Sequence, residues 1–118
     1  MTEIDSLRQL TAEIRDFAVE RDWENFHDPK SLILALVGEV GELAELFQWI
    51  PADGAVDEFD KPERKRRAAE ELSDVLIYLL RLADVLGIDI ASAAPAKLTD
   101  SRSRFPAARV RGTAPKKS

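Results

Sequence analysis

Apolar residues recur at three- and four-residue spacing along most of the chain, a rhythm that predicts helices and leaves no strand alternation of useful length. Ile4, Leu7, Leu10, Ile14, Phe17 and Ala18 mark one face of a first helix over about Ile4 to Glu20. A polar and aromatic loop follows, Arg21-Asp22-Trp23-Glu24-Asn25-Phe26-His27-Asp28-Pro29. Its end reads as a helix start, with Asp28 as N-cap and Pro29 in the first helical position. A second helix is expected from about Lys30 to Trp49, stopped by Pro51. A third runs from Lys61-Pro62 to about Leu86, with Gly87 as its stop signal, and a short fourth from near Asp89 to before Arg102. In two places the rhythm gives way to runs that are apolar all round, Leu32–Val37 and Val75–Leu80. Such helices are buried on every side. In a chain of 118 residues that points to a second copy covering part of the surface. The predicted fold class is all-α: a small bundle of about four helices completed by homo-oligomerisation, as a homodimer or homotetramer. Residues 1–106 form the expected domain. The basic tail, residues 107–118, carries Arg109, Arg111, Lys116 and Lys117, lacks apolar periodicity and is expected to be disordered.

Charges interrupt the apolar pattern at two informative points, Glu39-Val-Gly-Glu42 and Glu71-Leu-Ser-Asp74. Residues at i and i+3 share a helix face, with Cβ atoms roughly 5–6 Å apart. Two such pairs on packed helices can aim four carboxylates at one place. Unneutralised, those charges repel; a hard all-oxygen cluster suits Mg²⁺, with Mn²⁺ as a substitute, and Mg²⁺ commonly brings substrate phosphates with it. Solvated helix faces with surface ion pairs produce similar spacing. Three features favour a site. Glu39 and Glu42 follow an all-apolar half-helix, where burying a random charge is expensive. Gly38 and Gly41 each cost about 1 kcal/mol in helix propensity relative to Ala. Glycine at these places fits a close approach by another backbone or a ligand. Asp74 stands directly before the second apolar run, with Tyr78 one turn on. Glu45 and Glu70 are spare carboxylates that spacing alone does not separate from the others, and Arg66 and Arg67 compete for Glu70 and Glu71.

The totals narrow the classes. The length is that of one domain. There is no cysteine, which excludes disulfides, thiolate metal sites and a cysteine nucleophile and agrees with a reducing cytoplasm. A net charge of −5 argues against a general nucleic-acid binder. The polar, acidic N-terminus is not that of a signal peptide, and neither apolar run approaches the roughly 18 residues of a membrane span. The reading is a cytoplasmic protein.

Aromatic and basic side chains supply the rest of a nucleotide site. Trp49 lies seven residues after Glu42, two turns along the expected helix, and Tyr78 is one turn from Asp74. Rings beside a metal–phosphate site can stack on a nucleobase, worth about 1–3 kcal/mol per base; core packing is the competing explanation. Trp23 and the lone histidine, His27, carry the same ambiguity. Lys97, Arg102 and Arg104 are cations able to reach outer phosphates, or simply a basic helix end favoured by the helix dipole.

Taken together, Glu39-Val-Gly-Glu42-Leu-Ala-Glu-Leu-Phe-Gln-Trp49, Glu71-Leu-Ser-Asp74-Val-Leu-Ile-Tyr78 and Lys97 before Arg104-Phe105-Pro106 resemble the MazG-type all-α nucleoside triphosphate pyrophosphohydrolases. The dCTP pyrophosphatase branch is the nearest, and the Arg21–His27 loop also looks like that branch's first loop. The similarity covers about Leu10 to Pro106. It implies that Glu39, Glu42, Glu71 and Asp74 are Mg²⁺ ligands and the catalytic centre. It implies that Trp23, His27, Trp49 and Tyr78 surround base and sugar, and that Lys97 and Arg104 face phosphate. The implied products are a nucleoside monophosphate and pyrophosphate, and the implied assembly is paired subunits. Two positions depart from the pattern: Ser101 stands where many relatives carry asparagine, and Ile14 where some dCTP-preferring relatives carry histidine. The expected activity is Mg²⁺-dependent hydrolysis of dCTP or a modified dCTP, a nucleotide-pool housecleaning reaction. The alternatives are a broad-range or phosphoribosyl-ATP-type pyrophosphohydrolase, or a non-catalytic helical interaction module.

Overall fold

The computed structural model describes residues 3–114, with side chains from Asp5 onward; the side chain of Ile4 and the tail residues Lys116 and Lys117 lie outside the described residues. The helices are α1 (Glu3–Glu20), α2 (Pro29–Glu45), α3 (Ala55–Glu58), α4 (Pro62–Val85), α5 (Ile90–Arg104) and α6 (Ala107–Val110). Short 3₁₀ turns at Glu24–Phe26 and Ala52–Gly54 complete the regular structure, and no strand occurs among the described residues. The all-α expectation holds. None of the helices is long and apolar enough to cross a membrane.

Local signals place the helix ends. Asp28 caps α2: its side chain accepts from the Ser31 backbone N–H at 2.9 Å and from the Ser31 hydroxyl at 2.7 Å, with Pro29 in the first turn. Pro62 likewise occupies the first turn of α4, which begins without a side-chain cap. At the other end of α4, Gly87 takes φ +71°, the left-handed conformation that glycine adopts without a Cβ penalty. Its N–H reaches the Asp84 carbonyl at 3.0 Å and the Ile88 N–H reaches the Ala83 carbonyl at 2.8 Å, a Schellman closure.

Helix α4 is the hub. It packs along α2 on one side and α1 on another, and α5 joins through α1. The apolar centre is small: Ala18, Leu32, Leu36, Phe59, Leu80, Ala83 and Ala91 are buried, and Leu32 and Leu80 are 1% exposed. The two all-apolar runs are only half covered within one chain, because Ile33, Leu34 and Val37 on α2 and Leu76, Ile77 and Leu79 on α4 are exposed.

Three boundaries differ from expectation. Helix α2 stops at Glu45, not Trp49. Leu46 and Phe47 bond back to Leu43 and Ala44 in tight i→i−3 fashion. The Phe47 ring then stacks on Phe59 at 4.4 Å, turning the chain away from the helix axis. Helix α5 runs on to Arg104, with the Phe105 N–H bonded to the Ser101 carbonyl at 2.8 Å before Pro106 ends it. The segment expected to be disordered begins with a helical turn, Ala107–Val110, because Pro106 presets the first turn and its carbonyl receives the Arg109 N–H at 2.9 Å.

Candidate functional site

The α2–α4 pair carries the site. Along α2, Leu32 and Ala35 are followed by Glu39 and Glu42 at three- and four-residue steps; along α4, Glu71 and Asp74 precede Tyr78. One carboxylate oxygen from each of Glu39, Glu42 and Glu71 lies within 4.8 Å of the other two. Glu39 and Glu71 each keep one buried oxygen with no hydrogen-bond partner among the described residues. Burial raises the Glu39 carboxyl above the ordinary carboxylate range, and the charges of Glu42, Asp74 and Glu71 push it further. Glu71 is raised in the same way, by burial first and then by Glu42 and Asp74. Asp74 therefore belongs to the same electrostatic cluster. Buried polar atoms are ordinarily paired, and an orphaned carboxylate oxygen in a ring of acids is a place that a cation could balance. The donors are all carboxylate oxygen, which fits a hard divalent ion.

The competition for these acids is resolved by geometry. Arg66 bonds Glu63 and also Glu70, the latter at 2.7 Å. No ion pair joins Arg67 to Glu71 among the described residues; the Arg67 charge lowers the Glu71 carboxyl against the larger raising effects, while Glu70 is spent on the surface pair with Arg66. Of the two spare carboxylates, Glu45 stays exposed at the end of α2.

Beside the acids lies an aromatic hollow. Trp23, Phe26, His27, Ser31, Leu32, Ala35 and Tyr78 line a cavity of about 230 Å³. A second, of about 150 Å³, runs from the same Trp23, His27 and Tyr78 towards α1. The loop that delivers these rings is tightly tied. Asp22 adopts φ 55°, the Trp23 N–H bonds the Ala18 carbonyl at 2.9 Å, and the indole meets Phe17 edge-on at 5.7 Å. Tyr78 sits one turn beyond Asp74, about 6 Å along the axis of α4. The hollow and the acid cluster are thus neighbours on both helices.

Other expected site residues are placed elsewhere in the single chain. Trp49 lies beyond the end of α2, so the two-turn argument linking it to Glu42 does not apply; it is 87% exposed. Lys97 and Arg104 both turn to Asp100 on their own helix, at 3.7 and 3.0 Å, and neither forms an ion pair with the cluster. Nothing lies within 4 Å of a Cβ built on Gly38 or Gly41, so no part of this chain makes the close approach that would require glycine there.

Sequence reasoning missed one group. Buried Arg81 pairs with half-buried Asp84 inside α4, and Arg81 bonds His27. The available signal was a lone Arg in an apolar run with an acid three residues on, since a buried charge has to be paired.

A family model described as the MazG-like family matches residues 35–113. The chain is 48% identical over 111 residues to a dCTP pyrophosphatase 1 of Bos taurus, covering 94% of this chain and 64% of that protein. It is 52% identical over 105 residues to the Homo sapiens dCTP pyrophosphatase 1, covering 88% and 59%. The chain therefore spans less than two thirds of the length of these curated relatives. Among solved structures, a pyrophosphatase from Archaeoglobus fulgidus superposes with a TM-score of 0.78 at 35% identity, covering 86% of this chain and 93% of that one.

Proposed function

Starting from the chain's membership of the MazG-like family, we propose that it is a Mg²⁺-dependent nucleoside triphosphate pyrophosphohydrolase that releases a monophosphate and pyrophosphate, with dCTP or a modified dCTP as substrate. The observation that carries this reading is the meeting of Glu39, Glu42 and Glu71 within 4.8 Å, two of them with orphaned buried oxygens, beside the aromatic hollow. The dCTP pyrophosphatases that match the chain support the base, and the A. fulgidus pyrophosphatase supports the reaction class.

Glu39, Glu42, Glu71 and Asp74 would hold the cation. When bound, it supplies charge neutralisation at the phosphoryl oxygens and a bound water of lowered pKa. The carboxylates sit on two rigid helices, so they fix where the triphosphate lies without having to reorganise. Trp23 and Tyr78 wall the nucleoside and exclude water from it, and His27 provides the polar contact. Lys97 and Arg104 are the phosphate-facing cations of this reading, which requires them to leave Asp100. Exposed Ile33, Leu34 and Val37 on α2 support a second copy packing there, as a homodimer or homotetramer, and Trp49 would enter the nucleoside site across that contact.

The test is pyrophosphate release from each of the four deoxynucleoside triphosphates, with Mg²⁺ and with chelator. The expected result is Mg²⁺-dependent release led by dCTP. Equal release from all four would retain the chemistry and remove the base preference; silence on all four would defeat the reading. For Trp49, the expected result of Trp49→Ala is a KM raised for dCTP and unchanged for inorganic triphosphate, by roughly the 1–3 kcal/mol of one stacking contact. Equal effects on the two substrates would remove it from the nucleoside site.

A further inference from the structure

Among the described residues Arg81 is the one buried charged side chain, 7% exposed, in the middle of the apolar run of α4. Its Nη1 donates to Asp84 Oδ2 at 3.0 Å, and its Nε donates to His27 Nδ1 at 3.0 Å. Asp84 is gripped in turn from α1 by Arg15, through Nε at 2.8 Å and Nη2 at 2.6 Å. The result is a relay running from α1 through α4 to the loop that lines the aromatic hollow.

The relay dictates a proton position. Arginine offers only donors and keeps its charge at any ordinary pH. The His27 nitrogen facing it must be the bare, accepting one, so the single ring proton of the neutral imidazole belongs on Nε2. Protonating Nδ1 would set two donors and two positive charges against each other. Burial, then the Arg81 charge, lowers the pKa of His27 against a smaller opposing pull from Glu24, so the ring is neutral at pH 7. Nε2 makes no hydrogen bond among the described residues, and His27 lines both parts of the hollow.

We propose that Arg81 is a positioning residue that locks His27 in its Nε2–H tautomer, so that His27 presents a fixed donor to a lone-pair atom on the nucleoside portion of the substrate. This rests on the hollow being the nucleoside pocket. A fixed donor selects as well as binds. A carbonyl oxygen, an unprotonated ring nitrogen or a sugar oxygen is accepted there, whereas a ligand presenting N–H at the same place meets donor with donor. Cytosine carries both O2 and N3 as such acceptors.

His27 is the sole histidine of the chain, so its imidazole signals need no assignment. The experiment records the two His27 nitrogens by long-range ¹H–¹⁵N correlation at neutral pH, in the wild type, Arg81→Met and Arg15→Met. The expected wild-type spectrum is one tautomer, with a protonated Nε2 and a bare Nδ1. Arg81→Met should release it to a tautomer mixture. Arg15→Met, which leaves the Arg81–His27 bond in place, should lower Tm but keep the tautomer, and so separates positioning from loss of stability. In kinetics, Arg81→Met should raise KM for dCTP about tenfold, the effect of one lost hydrogen bond, with kcat little changed. KM for inorganic triphosphate should not move. A wild-type mixture, a tautomer unaffected by Arg81→Met, or equal KM effects on both substrates would overturn the proposal. If the wild type hydrolyses no nucleotide, the nucleotide reading fails, and the donor role fails with it even where the tautomer proves locked.

Discussion

Glu39→Gln is expected to melt at a higher temperature than the wild type in chelator and to gain nothing from Mg²⁺. The reason lies in the sign of the electrostatics. The Glu39 and Glu71 carboxyls are raised above their ordinary range by burial and by one another's neighbours, so the folded metal-free chain holds protons more tightly than the unfolded chain. Such groups favour the fold below the ordinary carboxylate pKa, and that contribution is lost as pH rises through the raised values. At pH 7 the metal-free cluster is therefore a net cost, which the neutral amide of Gln relieves. On the proposed reading, the wild type recovers that cost when Mg²⁺ binds. Mg²⁺ at a hundred times its dissociation constant adds about 2.7 kcal/mol of stability, several degrees in a chain this size. Turnover by Glu39→Gln should fall to background, because the cation loses a charged ligand. Calorimetry with and without Mg²⁺, beside the pyrophosphate assay, checks both halves. A variant that melts lower than wild type in chelator would show that the acids are paired in some other way, and retained activity would remove Glu39 from the ligand set.

Asp84→Asn should show the opposite pattern, a large loss of stability. Asp84 receives three bonds from Arg15 and Arg81, and removing its charge leaves the Arg81 guanidinium buried without a counter-ion. Breaking one partner out of a buried pair costs about 3–5 kcal/mol. That is a large share of the roughly 5–15 kcal/mol that holds a domain folded. The pH dependence follows from the depressed Asp84 pKa, caused first by the Arg15 bond. A depressed acid stabilises fully above its unfolded pKa, near 3.9, and that stability is lost as pH falls through the folded value. Urea melts from pH 7 downward should show the wild type losing stability below about pH 4, with a shallower loss in Asp84→Asn. Parallel curves would mean that the network is already broken in solution.

The contrast between these variants also explains what the chain discloses when read alone. Asp28-Pro29 and Gly87 announce helix ends because capping is decided by two or three adjacent residues. The pairs Glu39/Glu42 and Glu71/Asp74 are legible because a helix fixes which residues share a face, whatever it packs against. The helix does not continue to Trp49 as the pattern predicts, because the end of α2 is accompanied by Phe47 stacking against Phe59, a contact between residues twelve positions apart that no local pattern encodes. The choice between Glu70 and Glu71 was open because it turns on which way Arg66 reaches. Arg81 escaped notice because its network joins three elements: it bonds His27 in the loop between α1 and α2 and Asp84 on α4, and Asp84 is held in turn by Arg15 on α1. Leu34 and Val37 stay exposed and the space around Gly38 and Gly41 stays open, so the apolar run and the paired glycines are not accounted for by contacts within one chain.

The division of the acidic cluster between two helices has a consequence for ion choice. Within each helix the backbone spacing of the ligands is set by helix geometry and does not adapt. Glutamate side chains adjust by rotamer; the backbone dimension that remains is the gap between α2 and α4, which pack along one another with Leu32 and Leu36 buried on α2 and Leu80 buried on α4. Mg²⁺ takes oxygens at about 2.0–2.1 Å and Ca²⁺ at about 2.3–2.6 Å. If the cluster holds a divalent ion, a difference of a few tenths of an ångström in metal–oxygen distance would be felt through the packing of α2 on α4. On the proposed reading, trimming Leu36 to Val is expected to shift the preference between Mg²⁺ and Ca²⁺ without touching a ligand, as pyrophosphate release with each ion would report.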